Sequence, residues 1–192
     1  MQFHRLDHAI DAELELIRPS ARYIDDMVSA CQHPQSSTDE GAAWTRLQLN
    51  RFVDQYPDGI EPGDVLTGRA AGYYLWMRLR PEYRPVVPIA GTLALRLGDS
   101  EQISQYIGHI GYGVFPPARG HHYAERACRL IAPLAKMHGH DYLWITANPD
   151  NLPSRRTAER LGAELINIVD IPIDNPLYAR GERQKCRYRW II

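Results

Sequence analysis

The sequence has little of what marks secreted, membrane-spanning or nucleic-acid-binding proteins. Its three cysteines, Cys31, Cys128 and Cys186, are odd in number and far apart, so neither a disulfide framework nor a C-x-x-C metal motif can be drawn. No apolar run approaches the ~20 residues of a membrane span, and the N-terminus is too charged for a secretory signal. A net charge of -1 lacks the basic surplus that nucleic-acid binding needs. These absences predict a cytoplasmic protein with no nucleic-acid or membrane partner.

Two kinds of ligand-binding motif are also missing. Neither the G-x-x-x-x-G-K-[ST] phosphate loop nor the G-x-G-x-x-G dinucleotide loop occurs, which argues against a nucleotide cofactor. His138 and His140 flank Gly139, but only Asp141 stands near them as a further ligand type. We therefore predict no metal site.

The composition and the order of patterns predict one α+β domain over residues 1–192. Hydrophobic residues make up 44% and charged residues 23%, as in ordinary globular proteins. Alternating or continuous apolar runs predict strands, and 3.6-residue periodicity predicts helices, in an order too mixed for a regular βαβ array. Strands are predicted at 14–20, 72–80, 87–97, 107–114, 141–148, 163–172 and 185–192, and helices at 20–32, 44–56, 123–139 and 154–162. Ser20 is the predicted cap of the first helix, and residues 174–184 are predicted to form a loop.

The stretch VFPPARGHHYAERA, residues 114–127, is the most informative part of the chain. A glycine-rich strand ends here, followed by a Pro-Pro turn, Arg119-Gly120 and the start of a helix. The first N–H groups of a helix have no intrahelical partner and carry partial positive charge, so they can bind a diphosphate. Arg119 adds a cation, and the small Ala124 leaves room for a ligand. The residues alone leave open a second possibility, a helix whose first turn is merely solvated.

From about Ile89 to Val169, the sequence resembles the acetyl-CoA-binding half of the GNAT acyltransferases. The resemblance rests on the strand and V-x-P turn at Val114, the R-G-x-x-x-A loop from Arg119 to Ala124, N-x-x-S at Asn151, and Leu161-Gly162. The end of the chain, Arg-Tyr-Arg-Trp-Ile, is similar to that of an uncharacterised "predicted acetyltransferase" branch. This resemblance implies a GNAT fold, with a central mixed, twisted sheet flanked by helices on both faces. It further implies an acetyl-CoA-binding core over residues 86–169 and an N-terminal extension over residues 1–13.

The resemblance also implies which residues contact acetyl-CoA. Main-chain groups of one strand would line the pantetheine arm, amides of the following loop would hold the pyrophosphate, and Asn151 would lie beside the cofactor. Ser154, whose predicted role is a helix cap and not a catalyst, is included with them. The loop glycine usual in the family falls at His122, and His121 and His122 are expected to project outward or flank the diphosphate. The predicted cofactor-binding residues are Tyr112, Gly113, Val114, Arg119, Gly120, His121, His122, Tyr123, Ala124, Asn151 and Ser154.

His109 and Tyr112 are the predicted catalytic residues. Related GNAT proteins often carry a glutamate at the place of His109, and an imidazole with a pKa of about 6.5 suits a general base at neutral pH. The alternative is a hydrogen-bonded core histidine. Tyr112 would donate to the substrate or the sulfur, or only pack. The tyrosine that many GNAT enzymes place seven residues after the asparagine is Ala158 here, as in the branch that acetylates protein N-termini and ribosomal proteins, so the general acid is unassigned.

The resemblance implies an acetyl-CoA-dependent N-acetyltransferase that acts on a primary amine of a small molecule or peptide, by direct attack in a ternary complex. The N-terminal helices and the loop 174–182 would build the acceptor site. Six acidic residues between Asp39 and Asp64 favour a cationic acceptor. A homodimer is possible. Two alternatives stay open: a catalytically idle CoA-binding sensor or interaction protein, and an acyltransferase with another acyl donor or acceptor.

Overall fold

The computed structural model describes residues 2–4, 9–36, 44–64 and 67–192. Two of the six acidic residues, Asp39 and Glu40, thus lie outside the described residues. The strands are β1 Leu14–Ile17, β2 Ile60–Glu61, β3 Gly72–Leu79, β4 Ile89–Arg96, β5 Ile110–Val114, β6 Tyr142–Ala147, β7 Glu164–Asp170 and β8 Gln184–Ile191. The helices are α1 Ile24–Cys31, α2 Arg46–Gln55, α3 Tyr123–Met137, α4 Leu152–Arg160 and α5 Pro176–Ala179.

All eight strands belong to one mixed sheet, which confirms the predicted α+β class. Its order is β1-β3-β4-β5-β6-β8-β7, and β2 pairs with β3 beside β1. The strands β5 and β6 pair in parallel, and the other named pairs are antiparallel. The strand predicted at 87–97 corresponds to β4, in which the alternating residues Ile89, Leu93 and Leu95 are buried.

Helices cover both faces of this sheet. Leu93 lies opposite Leu75 and Tyr112, and the face they share packs against α3. The predicted apolar stripe of α3, from Ala124 to Ala135, is buried against that face. The opposite face, which carries Trp76 and Thr92, lies under α1 and α2. No helix in the described residues is both long and apolar enough to cross a membrane.

Three local features differ from the sequence-based predictions. Ser20 makes no capping hydrogen bond, since the chain enters α1 through a 3₁₀ turn at Ala21–Tyr23. The loop predicted at 174–184 contains the short helix α5, which Asn175 caps by accepting from the Leu177 N–H. A π-helical turn, Gln102–Ile107, precedes β5 where no hydrophobic period signalled a helix.

Candidate functional site: two clefts that meet at strand β5

The strands β5 and β6 separate soon after they begin. Among the described residues, Ile110 and Ile145 form the one residue pair between them. On its other edge, β5 stays paired with β4 through Val114, and the Phe115 N–H donates to Ala90 O at 2.8 Å. Because hydrogen-bonding directions alternate along a strand, the main-chain groups of Tyr112 and Val114 point into the gap toward β6. The separation thus creates a slot lined by main-chain donors and acceptors.

The slot opens into a cleft of about 620 Å³ between β5, α3 and α4, here called the α3–α4 cleft. Its described lining includes three arginines and no carboxylate, and one of the three, Arg160, forms an ion pair with Glu125 outside the lining, with Nε 3.0 Å from Oε2. It is lined by Tyr112, Gly113, Val114, Ala118, Arg119, Gly120, His122, Tyr123, Ala124, Asn151, Pro153, Ser154, Arg156, Thr157 and Arg160.

The loop before α3 turns the first amides of that helix toward the α3–α4 cleft. His122 is the N-cap of α3 and has φ 58° and ψ 23°, in the left-handed region. This backbone conformation explains why a glycine is usual at this place in the GNAT pattern. Gly120 also has a positive φ, of 90°, with open space around its Cα hydrogens. The Arg119 Nε donates to Val114 O at 3.0 Å, which ties the loop to the end of β5.

The N-x-x-S motif is a helix cap in which the asparagine does the capping. Asn151 Oδ1 accepts from the Ser154 N–H at 3.2 Å. The expectation that Ser154 caps α4 is therefore wrong, because Ser154 is already the third helical residue. Its hydroxyl is free to face β5 and lies 2.9 Å from the Tyr112 hydroxyl. The motif fixes the start of α4 against β5.

Tyr112 reaches the α3–α4 cleft with its hydroxyl held at Ser154. The two hydroxyl oxygens are 2.9 Å apart, and the Tyr112 hydroxyl also donates to Ser154 O at 3.2 Å. Burial raises the pKa of Tyr112 to about 12, and the hydrogen bond with Ser154 offsets this only in part. The side chain is therefore a neutral phenol at pH 7 and a proton donor.

The structure separates His109 from the α3–α4 cleft. Its side chain is fully buried, Nδ1 accepts from the Trp144 N–H at 2.9 Å, and Nε2 lies 3.0 Å from Gly98 O. Burial, helped by the neighbouring His140, lowers the pKa of His109. This placement supports the alternative of a hydrogen-bonded core histidine and argues against a general base.

His109 does meet two other potential metal ligands. Ligand atoms of Asp99, His109 and His140 lie within 4.8 Å of one another. The sequence spacing did not reveal this cluster, because its members come from three separate segments. The hydrogen bond from Trp144 takes the Nδ1 lone pair of His109, so Nε2 carries the proton and donates to Gly98 O. In this tautomer, His109 offers no lone pair to a cation.

A second cavity of about 420 Å³ lies on the opposite face of β5, beneath α1 and α2, and is here called the aromatic pocket. It shares Tyr112 and Gly113 with the α3–α4 cleft, so the two cavities meet at β5. Of its described lining residues, Arg96 alone is charged. It is lined by Met27, Trp44, Leu49, Phe52, Tyr74, Leu75, Trp76, Thr92, Leu93, Ala94, Arg96, Gly111, Tyr112, Gly113 and Phe115. Loop 174–182 contributes none of them, whereas α1 and α2 do.

The predicted cofactor-binding residues thus gather at one cleft, with one exception. His121 is exposed outside the lining, and its ring stacks on Tyr123 at 5.4 Å. The lining also contains Arg156, Thr157 and Arg160, which are not among the predicted cofactor-binding residues; of these, the sequence suggested Arg156 as a possible phosphate contact but favoured a solvated position. Counted from Pro153, they stand at i+3, i+4 and i+7, which is the spacing of one helical face and a signal that could have found them. Arg155, by contrast, bonds Tyr188 and Pro149 O and lies outside this lining.

A family model and several solved structures both relate the chain to acetyltransferases. The family described as Acetyltransferase (GNAT) domain matches residues 13–164. No curated protein sequence matches the chain.

Solved structures of several acetyltransferases share the fold. The microcin C7 self-immunity acetyltransferase MccE, determined with acetyl-CoA and AMP, is 17% identical, with a TM-score of 0.65 over 95% of this chain and 94% of that one. A GCN5-related N-acetyltransferase from Brucella melitensis is 16% identical, with a TM-score of 0.63 and coverages of 95% and 77%. The Salmonella typhimurium acetyltransferase that modifies the N-terminal serine of ribosomal protein L7/L12 is 14% identical, with a TM-score of 0.63 and coverages of 95% and 96%.

Proposed function

The chain belongs to the GNAT acetyltransferase family, and we propose that it transfers an acetyl group from acetyl-CoA to a primary amine by direct attack in a ternary complex. The observation that carries this proposal is the meeting of two cavities at Tyr112 and Gly113 of β5. One cavity is lined by arginines, by the end of β5 and by the start of α3. The other is apolar and opens on the opposite face. Such an arrangement lets a donor and an acceptor approach one reaction centre from two sides.

The residues of the α3–α4 cleft fit acetyl-CoA as co-substrate. The first residues of α3 line it, and Arg156 adds positive charge on the side of α4. Ala124 keeps the approach to these amides open. The amides from Arg119 to Ala124 would hold the diphosphate, and the main chain of Tyr112 and Val114 would hold the pantetheine arm. The microcin acetyltransferase with the same fold was determined with acetyl-CoA, which supports this assignment.

Two groups of β5 are suited to the chemistry. Acetyl-CoA supplies an activated thioester. The Val114 N–H points into the gap between β5 and β6, where a fixed donor stabilises negative charge on the carbonyl oxygen. Among the described residues, we assign the Tyr112 phenol, which is neutral at pH 7, as the proton donor to the departing thiolate. Many GNAT enzymes have a tyrosine as proton donor at the position of Ala158, which is fully buried here and cannot donate a proton.

No described residue that lines either cavity is an aspartate or a glutamate. The described lining therefore offers no carboxylate as general base, and His109 is buried outside both cavities. We propose that the acceptor amine loses its proton to water before attack. As the C–N bond forms and the C–S bond breaks, the thiolate takes the Tyr112 proton, and the proton that the nitrogen then releases restores the phenol.

A binding experiment tests the proposal first. Calorimetry should give a micromolar Kd for acetyl-CoA, equivalent to about -8 kcal/mol. Ala124→Asp places a negative charge among the diphosphate amides and should weaken binding at least about tenfold. Because Ala124 is buried, thermal unfolding first checks that the variant is folded. Ala124→Asn is the matched control of equal size without the charge, and it should weaken binding less.

Turnover then separates the enzyme from the idle alternative. Thiol release from acetyl-CoA with a panel of primary amines should exceed the amine-free rate for at least one acceptor. Binding without release on every amine would favour the sensor or interaction protein. Release with a longer acyl-CoA or a hydroxyl acceptor only would favour the second alternative, an acyltransferase with another acyl donor or acceptor. A folded protein without acetyl-CoA binding would rule out the function altogether.

Location, partners and assembly are also proposals. Cys31, Cys128 and Cys186 are free and buried, which fits a reducing cytoplasm. The acceptor is the amine of a small molecule or a peptide, and the ribosomal-protein acetyltransferase among the solved structures supports the peptide class. A homodimer stays a prediction, as does the single domain over residues 1–192.

A further inference from the structure

We propose that the aromatic pocket binds an acceptor amine with an aromatic or aliphatic body and a carboxylate, and that Arg96 binds this carboxylate. The inference rests on the proposed acetyl transfer and names the acceptor class for that site.

The walls of the aromatic pocket suit a flat apolar body. Trp44 and Phe52 meet edge to face with ring centroids 5.5 Å apart, and Phe52 and Tyr74 do so at 5.3 Å. Trp76 completes this aromatic wall. The floor on β4 and β5 consists of small residues, including Gly111 and Gly113, so the space between wall and floor stays open. Aromatic surfaces of this kind bind ring or aliphatic groups through burial and stacking.

Arg96 lies at one end of the pocket with unused donors. Its Nη1 donates to Ile107 O and Gly108 O, each at 3.2 Å, which anchors the guanidinium. Among the described residues, no carboxylate forms an ion pair with Arg96, and its other N–H groups have no protein acceptor. A Cβ on Gly111 would lie 3.0 Å from Arg96 Nη2, so the glycine lets the guanidinium rest against β5. Burial lowers the pKa of Arg96, and an anionic ligand would relieve that desolvation. A guanidinium held this way binds a carboxylate through paired N–H groups.

The spacing along β5 sets the shape of the acceptor. The amine must attack near Gly113, where the two cavities meet, and the guanidinium lies at Gly111. Two residues of a strand span about 7 Å. The amine and the carboxylate should therefore be separated by a ring or a short chain, unlike the adjacent groups of a free α-amino acid.

The described acidic residues do not support the cationic acceptor expected from the sequence. Asp54, Asp58 and Asp64 lie outside the aromatic pocket. Glu61 lies in a neighbouring cavity of about 200 Å³ that shares Arg96, and its Oε2 is 3.7 Å from the Arg69 guanidinium. A polyamine in the aromatic pocket would thus meet Arg96 as a like charge without a carboxylate beside it.

A matched pair of acceptors tests the inference on the unaltered protein. 4-(Aminomethyl)benzoate carries its amine and carboxylate at opposite ends of a ring, and 4-(aminomethyl)benzamide is its neutral counterpart. A charged hydrogen bond is worth ~1.5–3 kcal/mol, so kcat/KM should favour the benzoate about 10- to 100-fold. Spermidine should be the poorest acceptor of the three.

Substitution at Arg96 then assigns the effect to that residue. Arg96→Gln should bring the benzoate-to-benzamide ratio to about 1, and Arg96→Lys should retain part of it. If Arg96 only anchored the loop before β5, both rates would fall together and the ratio would persist, which would overturn its role. Should Arg96→Gln fail to fold, competition by 4-methylbenzoate against 4-methylbenzamide on the unaltered protein decides the carboxylate preference.

The outcomes separate this inference from the proposed function. Equal rates for benzoate and benzamide, or a preference for spermidine, would overturn the acceptor class and leave acetyl transfer intact. Absence of acetylation on any amine would overturn the proposed function and the inference with it.

Discussion

At the scale of single residues, Tyr112 connects the two cavities of the proposed site. It lines both cavities, its hydroxyl is held by Ser154, and its raised pKa keeps the proton on the phenol. His109, three residues earlier, was the predicted base. Its two ring nitrogens instead satisfy the backbone at Trp144 and Gly98. The two residues differ because Tyr112 lines the α3–α4 cleft, whereas the His109 side chain lies in the packed core.

Tyr112→Phe should lower kcat for acetyl transfer about 10- to 100-fold, because the departing thiolate loses its donor. The Kd for acetyl-CoA should change by no more than about twofold, since the ring still packs in the same place. Thiol-release kinetics and calorimetry measure the two quantities. Tyr142→Phe, at a partly exposed tyrosine on β6, is the matched control and should leave both unchanged. An unaltered kcat in Tyr112→Phe would remove the tyrosine from the mechanism.

At the scale of elements, the start of α3 holds the largest departure from the family pattern. His122 adopts the left-handed conformation that glycine adopts without strain, while its neighbour His121 has no positive φ. Both side chains are exposed, so neither position is constrained by core packing. The two histidines therefore form a natural matched pair.

His122→Gly should be about 1 kcal/mol more stable to unfolding than His121→Gly. A glycine at position 122 relieves a left-handed conformation that costs an ordinary residue ~1–2 kcal/mol, which offsets the extra entropy of the unfolded chain. At position 121 only the entropic penalty remains, with loss of the stacking on Tyr123. Urea unfolding of both variants measures the difference, and equal stabilities would show that His122 carries no strain.

At the scale of the whole molecule, a charged network ties the chain before β1 to α3. Asp11 accepts from Arg126 Nε and Nη2, each at 2.7 Å, and Glu13 accepts from Arg126 and from the Tyr123 hydroxyl. Burial raises the pKa of Asp11, but the hydrogen bonds from Arg126, Leu14 and Glu13 outweigh it and lower the pKa to about 2. The hydrogen bond from Tyr123, above all, lowers the pKa of Glu13. Residues predicted as an extension thus anchor the helix that forms the α3–α4 cleft.

Because the pKa of Asp11 is lower in the folded state than its ordinary value of 3.8, its ionised form stabilises the fold. That contribution is complete above about pH 4 and is lost as the pH falls toward 2. Thermal unfolding between pH 7 and pH 2.5 should show Tm falling in this window. Asp11→Asn should have a lower Tm at pH 7 and a shallower fall, whereas Asp54→Asn on exposed α2 should match the unaltered protein. An unchanged pH dependence in Asp11→Asn would refute the role of this network.

The sequence by itself determined the parts of the protein that depend on neighbouring residues. The apolar stripe of α3 and the alternation of β4 are local periods, and burial followed them. The V-x-P turn, the loop from Arg119 and N-x-x-S stand in fixed order on one β-α-β-α path, so they predicted the lining of the α3–α4 cleft. His122 could even be marked as unusual, since its backbone conformation is local.

Only the tertiary structure decided what depends on pairing between distant segments. Whether His109 faces a cavity or the core depends on the register of β5 with β4 and on the position of β6. Arg96 enters the aromatic pocket because it extends over Gly111 on the next strand, which no spacing in the sequence records. The number of acidic residues between Asp39 and Asp64 likewise gives the local net charge, but it does not show which of these side chains would contact a ligand. Periodicity encodes which face of an element is buried, whereas strand order and register determine which faces meet.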